Sequence, residues 1–472
     1  MQTPTVLAHA ALFGWIPVVL LLFVILPRRR AVITAFLMGW LFLPVMGYPI
    51  EGLPDFDKMA ATNGGALLGL LLIDRGRAFL AFRPHWLDLP MLIWCLCPVA
   101  SSLANGLGVY DGLSSAFDQT MAWGLPYVIG RATFTSVEDL KELAVGLVIA
   151  GIAYAPLCLY EIRMSPQLHN VFYGYYQHSF MQTKRMGGFR PMVFMDHGLM
   201  VATFMTFAAL MAGWLWYSGV RRHLFGVSLG IIAVCLIVIA VLCKSAMAIG
   251  LLVLGIGTLW LLRQTGWRVV LMLLLAIAPA YLFGRATGVL SKPFLIDVAG
   301  TVAGEARAQS LEFRLNEETP LYERAMQRPV FGWGGWNRSR RIDPDEDPRG
   351  QRMQVTDSLW IVALGRNGYV GLVSVMGTLL LIPTLLFWLL PRRQLVEPPG
   401  AVATGVTLLV VLFAVDSLLN AMLNPIYLIA LGGAGTLVQQ RVRGLASHSS
   451  RSRAYRRSVV SHKRPAYETG SV

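Results

Sequence analysis

The sequence predicts an all-α, polytopic inner-membrane helical bundle with about 12–13 transmembrane helices and one large periplasmic loop that contains short helices. Of the 472 residues, 55% are hydrophobic and only 14% are charged, whereas soluble domains carry about 25% charged residues. Apolar runs long enough to cross a bilayer, about 18 residues or more, recur along the chain. These observations exclude a soluble enzyme, a secreted disulfide scaffold and a disordered chain. The runs are continuous rather than alternating, which excludes an outer-membrane barrel.

The individual spans are predicted from apolar segments of about 17–25 residues. In chain order they are 5–26, 31–48, 60–74, 87–105, 115–130, 142–160, 192–214, 224–242, 246–262, 269–284, 367–390, 400–419 and 424–438. Residues 1–284 hold the first ten spans, and residues 367–440 hold the last three. The large periplasmic loop is predicted over 285–366. The basic tail, 441–472, is predicted to be disordered and cytoplasmic.

Basic residues predict the orientation of the spans, because Lys and Arg are retained at the cytoplasmic ends of helices. Arg28, Arg29 and Arg30 follow the first span, so the N-terminus is expected outside. The N-terminal residues lack the basic region of a signal peptide, and the first span is therefore expected to be retained. Strict alternation then places the other basic clusters on the same side: Arg75, Arg77 and Arg83; Arg131; Arg221 and Arg222; Arg263 and Arg268; Arg392 and Arg393. The net charge of +14 is thus attributed to helix ends and anionic lipid, not to nucleic acid.

Two helix starts are predicted from capping residues. Ser136 is expected to cap a helix that carries Glu138 and Asp139 in its first turn. Within the large loop, Thr319 is expected to cap a short helix with Pro320 at its first position. That helix is expected to end near residue 329, where a proline follows Arg328.

Aromatic residues follow the predicted loop helix in the run FGWGGWNRSR. Trp333 and Trp336 are flanked by glycines that permit tight backbone turns. Such rings either anchor a loop at the bilayer surface or stack on the faces of sugars. Both interpretations remain open from the sequence.

Outward-facing cations are unexpected under the orientation rule. They comprise Lys184, Arg185 and Arg190 in one predicted loop, Lys244 in a turn between two spans, and many arginines of the large loop, including Arg314, Arg324 and Arg366. Arginine binds phosphate oxygens through paired, charge-assisted hydrogen bonds, so the group suits a phosphate or diphosphate ligand. The alternative is that these side chains are solvated or paired with nearby acids.

Ionisable residues also fall within predicted spans, where they are candidates for function. They are Asp196, His197 and Asp416, and each is near the outer end of its span. Each can equally be a residue that reaches water or a hydrogen-bonding partner between helices. The five cysteines lie in apolar stretches and are predicted to be small buried residues rather than metal ligands or disulfides.

Four segments together resemble the O-antigen polymerase and O-antigen ligase family of bacterial membrane proteins. They are LPYVIGRATFTSVEDL (125–140), RMGGFRPMVFMDHGLMVA (185–202), LCKSAMA (242–248), and the region from Arg314 through ERAMQRPVFGWGGW to DSLWIVALGRNGYVGL. The resemblance implies a multi-pass protein of the bacterial inner membrane whose active site faces the periplasm. It implies a metal-independent, inverting glycosyltransferase without a cofactor. Such enzymes transfer a glycan from an undecaprenyl-diphosphate carrier to a glycan or lipid acceptor.

Residue by residue, the resemblance matches Arg190 to the GFRP arginine, Lys244 to an arginine beside a serine, and Arg314 to the arginine that opens the loop helix. Ligases of this family carry a histidine near the end of the loop, where this chain has Asp357. That departure favours polymerisation of exopolysaccharide or O-antigen repeat units over ligation to lipid A-core. The expected base is Asp357, Glu323 or His197. The expected diphosphate ligands are Arg185, Arg190, Lys244, Arg314, Arg324 and Arg366, and the expected glycan-stacking rings are Trp333 and Trp336.

The expected partners are the lipid-linked donor, the acceptor, membrane lipids, a chain-length regulator and a flippase, with no nucleic acid and no metal. A protein of another class remains the alternative: a transporter or a flippase of lipid-linked oligosaccharides. The scarcity of charge at mid-membrane and the arginine-rich loop weigh against transport.

Overall fold

The structure is a computed structural model that describes residues 3–51, 53–185, 187–340, 342–343, 352–353 and 357–461. It is an all-α helical bundle, with 75% of the residues in helices. The helices in chain order are α1 Val6–Ile25, α2 Arg28–Phe42, α3 Lys58–Leu68, α4 Arg77–Ala81, α5 Leu89–Ala104, α6 Val109–Gln119, α7 Leu125–Thr133, α8 Val137–Met164, α9 Leu168–Tyr173, α10 Gly198–Tyr217, α11 Leu229–Leu242, α12 Ala246–Thr265, α13 Arg268–Thr287, α14 Lys292–Ala303, α15 Glu305–Met326, α16 Leu359–Leu389, α17 Arg392–Val396, α18 Ala401–Asp416 and α19 Pro425–Ser461.

Two π-helical turns interrupt or extend these helices. Gly69–Ile73 continues α3, and Thr120–Gly124 joins α6 to α7. The described residues also form four short antiparallel hairpins in the connections: β1 Gly47–Ile50 with β2 Leu53–Asp57, β3 Lys184–Arg185 with β4 Gly188–Phe189, β5 His223–Leu224 with β6 Val227–Ser228, and β7 Ile342–Asp343 with β8 Arg352–Met353.

Among the described residues, seven helical segments are long and apolar enough to cross a membrane: Val6–Ile25, Trp86–Ala104, Val137–Met164, Gly198–Tyr217, Ala246–Thr265, Arg268–Thr287 and Leu359–Leu389. Three shorter apolar helices, Lys58–Ile73, Leu229–Leu242 and Ala401–Asp416, coincide with further predicted spans. The remaining predicted spans fall on α2, on the continuous helix of α6 and α7, and on the start of α19. The prediction of an all-α bundle is therefore confirmed.

Helix α10 lies at the centre of the bundle and α1 at its edge. Of an 18-residue apolar stretch in each helix, 83% is buried in α10 and 22% in α1. Helices α8, α11, α12 and α18 pack around α10. Small residues permit α8 and α10 to approach each other closely, since a methyl group on Gly151 of α8 would lie 2.6 Å from Cβ of Ala208 of α10.

Polar contacts at one end of the bundle join the residues predicted to be cytoplasmic. Arg28 lies 3.2 Å from Asp74, Arg29 pairs with Asp139, and Arg131 lies 2.9 Å from Asp88. Asp139 belongs to the predicted cap of α8, where the Ser136 side chain and the Asp139 side chain each accept from the other's backbone N–H. That predicted helix start is confirmed.

Several boundaries differ from the prediction. Thr319 does not begin a helix, because α15 already starts at Glu305 and the Thr319 hydroxyl donates to the Leu315 carbonyl inside it, 3.0 Å away. Pro320 is tolerated within α15. The predicted loop boundary at 366 falls inside α16, which begins at Leu359. Residues 192–197, predicted to be within a span, precede the first turn of α10.

The basic tail also differs from the prediction up to Ser461. The sequence predicts disorder from residue 441, whereas α19 continues as a helix to Ser461. Helix formation is compatible with the Arg- and Ala-containing sequence, because both residues have high helix propensity. Residues 462–472 lie outside the described part of the chain. Among the cysteines, Cys95, Cys97, Cys158 and Cys243 are buried as predicted, but Cys235 is exposed on the outer wall of α11.

Candidate functional site

His197 marks the centre of a cluster of cations at the end of the bundle opposite the Asp139 cap. It is the N-cap of α10, where its Nδ1 accepts a hydrogen bond from the Leu199 backbone N–H at 3.0 Å. The ring of His178 packs edge-on against it, with 4.8 Å between the centroids. Burial lowers the pKa of His197 to about 3, and the nearby charges of Arg190, Arg314 and Arg185 act in the same direction.

This environment assigns a different role to His197 from the one expected. Its Nδ1 lone pair is engaged by a backbone donor, so the neutral ring carries its proton on Nε2. A neutral histidine in this tautomer donates through Nε2 and has no free lone pair with which to take a proton. His197 therefore suits hydrogen bonding to an anion rather than general-base catalysis.

Arg190 and Lys244 lie against each other beside His197. The Arg190 guanidinium donates to the Lys244 carbonyl at 3.0 Å, and Arg190 is buried. Two glycines make room for these cations. A Cβ added to Gly198 would lie 2.5 Å from Cδ of Arg190, and one added to Gly188 would overlap Nζ of Lys244. The GGF turn and the start of α10 thus hold the two cations in place.

Arg314 reaches the same region from α15. Its Nη1 donates to the Leu419 carbonyl at 3.2 Å and to Oδ1 of Asn420 at 3.3 Å. Its Nε lies 3.5 Å from Oδ2 of Asp357, a carboxylate with 42% of its side chain exposed. The predicted base and one predicted diphosphate ligand are therefore neighbours, and both are accessible.

A buried polar chain supports Arg314 from within the bundle. Asn420 donates to Asp416 at 2.8 Å, and Asp416 also accepts from the Thr203 hydroxyl at 3.5 Å. Asp416, singled out in the sequence as a carboxylate in an apolar helix, is thus linked to Asp357 by three contacts, through Asn420 and Arg314. Asn420 was missed, because nothing in a lone asparagine after an apolar run distinguishes it.

A second buried acid holds the start of α16 against α15. Glu318, one turn after Arg314, pairs with Arg285 at 2.8 Å and accepts from Ser358 at 3.4 Å. Burial raises the pKa of Glu318, and the Arg285 charge opposes that rise. Because Ser358 directly follows Asp357, this pair fixes the backbone that carries the candidate base. Sequence reasoning missed the role of Glu318, since many acids occur in this region.

Another ion pair, at the same end of the bundle, joins the start of α3 to the segment that precedes α10. Lys58 Nζ lies 2.8 Å from Oδ1 of Asp196 and 4.7 Å from the centre of the Trp40 ring. Only 6% of the Lys58 side chain is exposed. Asp196, a sequence candidate, therefore pairs with a buried lysine directly beside His197.

Other predicted site residues lie elsewhere. Arg324 stacks on Trp333, with 3.5 Å from its guanidinium carbon to the ring centre, and Arg328 lies 4.6 Å from the same ring. The Trp333 ring thus contacts two arginines of its own chain, while Trp336 is 77% exposed. Glu323 is exposed and follows Arg314 by nine positions, which places it on the opposite side of α15.

Arg366 adjoins a break in α16. Gly368 has φ 63° and ψ −159°, which interrupts the helix. The loop segment 329–334 contacts the backbone on both sides of the break. The Trp333 and Gly334 N–H groups donate to the Gly365 and Arg366 carbonyls at 2.9 Å, and the Tyr369 N–H donates to the Pro329 carbonyl at 2.6 Å. The break was not predicted, because the sequence around it indicates only where an apolar run begins.

The described residues contain no group of three or more His, Cys, Asp and Glu side chains placed to hold a metal ion. The site thus consists of Arg185, Arg190, Lys244 and Arg314 around His197, with Asp357 at its edge. No protein-family model matches the sequence, and a search of curated proteins finds no significant match.

Proposed function

We propose that this protein is a membrane glycosyltransferase that polymerises repeat units carried on undecaprenyl diphosphate, at the periplasmic face of the bacterial inner membrane. The observation that carries the proposal is the convergence of Arg190, Lys244 and Arg314 around neutral His197, with Asp357 3.5 Å from Arg314. These residues come from four separate parts of the sequence. A cation cluster beside one accessible carboxylate matches the two requirements of glycan transfer from a diphosphate.

The chemistry assigned to the site follows from these positions. Asp357 takes the proton of an acceptor hydroxyl, and the hydroxyl oxygen attacks the anomeric carbon as the bond to the diphosphate breaks, with inversion. The leaving diphosphate gains negative charge, which Arg190, Lys244 and Arg314 stabilise. Nε2–H of His197 supplies a further hydrogen bond to a phosphate oxygen.

An apolar cleft offers a place for the carrier lipid. It lies between α10, α11 and α12, has a volume of about 640 Å³ and is lined by Trp214, Trp216 and Trp260 among other apolar residues. The turn between α11 and α12 carries Lys244. The residues that line the cleft belong to the halves of these helices away from Lys244, so the cleft would hold the distal part of the lipid chain while the diphosphate end lies at the cation cluster.

The test compares Arg190→Ala and Arg314→Ala with Arg77→Ala, an exposed arginine at the opposite end of the bundle. Purified protein in detergent is supplied with the host's undecaprenyl-diphosphate-linked repeat unit, and products are resolved on a gel. Removing one cation that stabilises the leaving group should lower the rate by about 10²–10³-fold, by analogy with loss of an oxyanion-hole donor. Arg77→Ala should match the unaltered protein.

The reaction products distinguish a polymerase from a ligase. A ladder of longer lipid-linked chains without a second acceptor supports a polymerase. Transfer only when lipid A-core is added identifies a ligase, with Asp357 in place of histidine. Full activity of both arginine variants would refute the diphosphate site.

One observation favours a second candidate, a transporter or flippase. Transporters often bind substrates at broken helices, and α16 is broken at Gly368. In this chain, however, loop backbone groups already satisfy the Gly365, Arg366 and Tyr369 backbone at the break. These backbone groups at the break are therefore already hydrogen-bonded and do not offer a substrate-binding site. The transferase is the better supported function.

A further inference from the structure

Two small hollows lie beside Asp357 along the contact between α15 and α16. The first contains Arg314 and Asp357 and is bounded by Leu321 and Ile361. The second shares Leu321 and Ile361 and extends to Arg366, and each hollow has room for about one water molecule. Arg366 also lines a third, wider cavity of about 240 Å³. The wide cavity thus shares Arg366 with the hollows beside Asp357.

The spacing along the chain sets the distance between the candidate base and the wide cavity. Asp357 and Arg366 are nine positions apart, which corresponds to about 13 Å at the helical rise per residue. A sugar that reacts at Asp357 and a sugar held at Arg366 would therefore be separate rings of one glycan. Arg366 adjoins the wide cavity, whereas Arg190 and Lys244 belong to the cluster around His197.

The wide cavity is lined by groups that suit sugar hydroxyls. Asp118, Gln119, Asn367 and Arg366 provide a carboxylate, two amides and a guanidinium, and Trp123 provides an aromatic ring. Arg366 and Asp118 line the same cavity, yet in the described part of the chain they form no ion pair within 4.0 Å. A ligand between them can therefore hydrogen-bond to both.

Two backbone irregularities border this same cavity. Trp123 belongs to the π-helical turn Thr120–Gly124, and Asn367 directly precedes the break at Gly368. Single π-helical turns inside helices occur frequently at functional sites. The turn moves Trp123 into the wall, and the break permits the loop glycines Gly334 and Gly335 to form part of the opposite wall.

We propose that the wide cavity is a distal subsite for the acceptor glycan, in which Asp118 and Arg366 bind sugar hydroxyls beyond the ring that reacts at Asp357. This inference rests on the proposed glycosyltransferase function and assigns Arg366 to the acceptor, not to the donor diphosphate. Trp336, which directly follows the lining residue Gly335, is 77% exposed.

The test measures how the rate depends on acceptor length. The probes are delipidated acceptors of one and two repeat units, prepared from the host glycan and added with the natural lipid-linked donor. The unaltered protein should have a lower KM for the two-unit acceptor than for the one-unit acceptor. In Arg366→Gln and Asp118→Asn, the KM for the two-unit acceptor should rise by about 10–100-fold, the range expected for one lost hydrogen bond to a charged group.

Controls separate a binding role from a structural one. Asp111→Asn changes an acid of the same helix that does not line the cavity, and it should leave both KM values unchanged. In Arg366→Gln and Asp118→Asn, saturating acceptor should restore turnover, in contrast to Arg314→Ala, which should remain slow at any acceptor concentration. Loss of turnover that saturating acceptor does not restore would overturn the subsite.

The outcomes also separate this inference from the proposed function. One outcome is that the unaltered protein transfers glycan and discriminates by acceptor length, but both cavity variants keep the same KM values. The proposed subsite is then refuted, while the proposed transferase function is retained. If the unaltered protein releases no carrier diphosphate from the natural donor, the proposed function itself is wrong, and the subsite falls with it.

Discussion

His169 is a buried histidine whose two ring nitrogens are both engaged by the backbone. Nε2 accepts from the Val45 N–H at 3.1 Å, so Nδ1 carries the proton and donates to the Tyr175 carbonyl at 2.9 Å. Burial lowers the pKa of His169 to about 4. A second proton would break the hydrogen bond to Val45. The ring therefore stabilises the contact between the segment after α2 and the segment after α9 only while it is neutral.

Stability should therefore fall as the pH drops below the ordinary histidine pKa of 6.5 towards about 4. In this window the unfolded chain binds a proton at position 169 and the folded chain does not, which favours unfolding. Above pH 6.5 both states are neutral and the contribution is constant. Thermal unfolding midpoints, followed by tryptophan fluorescence in detergent at pH 7.5, 6 and 5, measure the effect.

His169→Gln should weaken that pH dependence, because glutamine can accept from Val45 without titrating. His223→Gln, at an exposed position, is the matched control and should leave the dependence unaltered. An unchanged slope in His169→Gln would show that other groups cause the acid sensitivity.

The candidate site illustrates which residues a sequence can identify. Arg190, Lys244 and Arg314 were predicted because a cation on the outer side of a membrane protein is unusual. Asn420, Glu318 and Lys58 were not, since their importance comes only from the partners that folding brings to them. The role of His197 changed because the Leu199 N–H occupies Nδ1, a contact that exists only once α10 begins at that position.

Helix α16 shows that a whole element, like a single residue, can be predicted from sequence only in part. Its apolar part was predicted from hydropathy alone, and the predicted start at 367 coincides with the break at Gly368. The turns before the break are held by Glu318, Ser101 and the loop segment 329–334, so their helical state depends on tertiary contacts. The predicted cap at Thr319 was wrong for a related reason, because the 22-residue helix α15 packs along α16 and continues through Pro320.

Gly368→Ala and Gly332→Ala should each destabilise the protein. Gly368 occupies a region of φ and ψ that is nearly restricted to glycine, and an added Cβ would lie 2.3 Å from the Val330 carbonyl oxygen. At Gly332 an added Cβ would lie 2.5 Å from the Arg366 carbonyl carbon. Backbone strain alone costs about 1–3 kcal/mol, so the thermal unfolding midpoint in detergent should fall in both variants.

Gly257→Ala is the control for these two changes. Gly257 lies within α12, and an added Cβ meets nothing within 4 Å. Alanine favours a helix over glycine by about 1 kcal/mol, so this midpoint should stay equal or rise. A Gly368→Ala protein as stable as the unaltered one would show that the close contact of the loop segment 329–334 with α16 does not contribute to stability.

The described ion pairs sort the connections of the bundle into two ends. Arg28, Arg29 and Arg131 meet acids at the predicted cytoplasmic end. Lys58 and Arg314 meet acids at the predicted periplasmic end. Alternation of spans along the sequence and pairing of charges in space are independent, and they give the same grouping.

Cysteine labelling tests this orientation. Met181→Cys places a thiol on a side chain that is 72% exposed in the outer connection, and Arg77→Cys places one at the other end. Both are made with Cys235→Ser, which removes the exposed native thiol. A membrane-impermeant maleimide should label position 181 in intact spheroplasts and position 77 only after lysis. The reverse pattern would invert the proposed topology.

The break at Gly368 also bears on how the protein sits in lipid. The 21 residues of α16 that follow it, up to Leu389, extend about 31 Å, close to the hydrocarbon thickness of a bilayer of about 30 Å. With these residues spanning the bilayer, the turns before the break would project into the headgroup layer together with Asp357 and Arg366. The loop segment 329–334 is hydrogen-bonded to both sides of the break and would resist sliding of α16 in a thicker or thinner bilayer. Hydrophobic mismatch would instead tilt the bundle, and with it the height at which Asp357 and Arg314 lie relative to the bilayer surface.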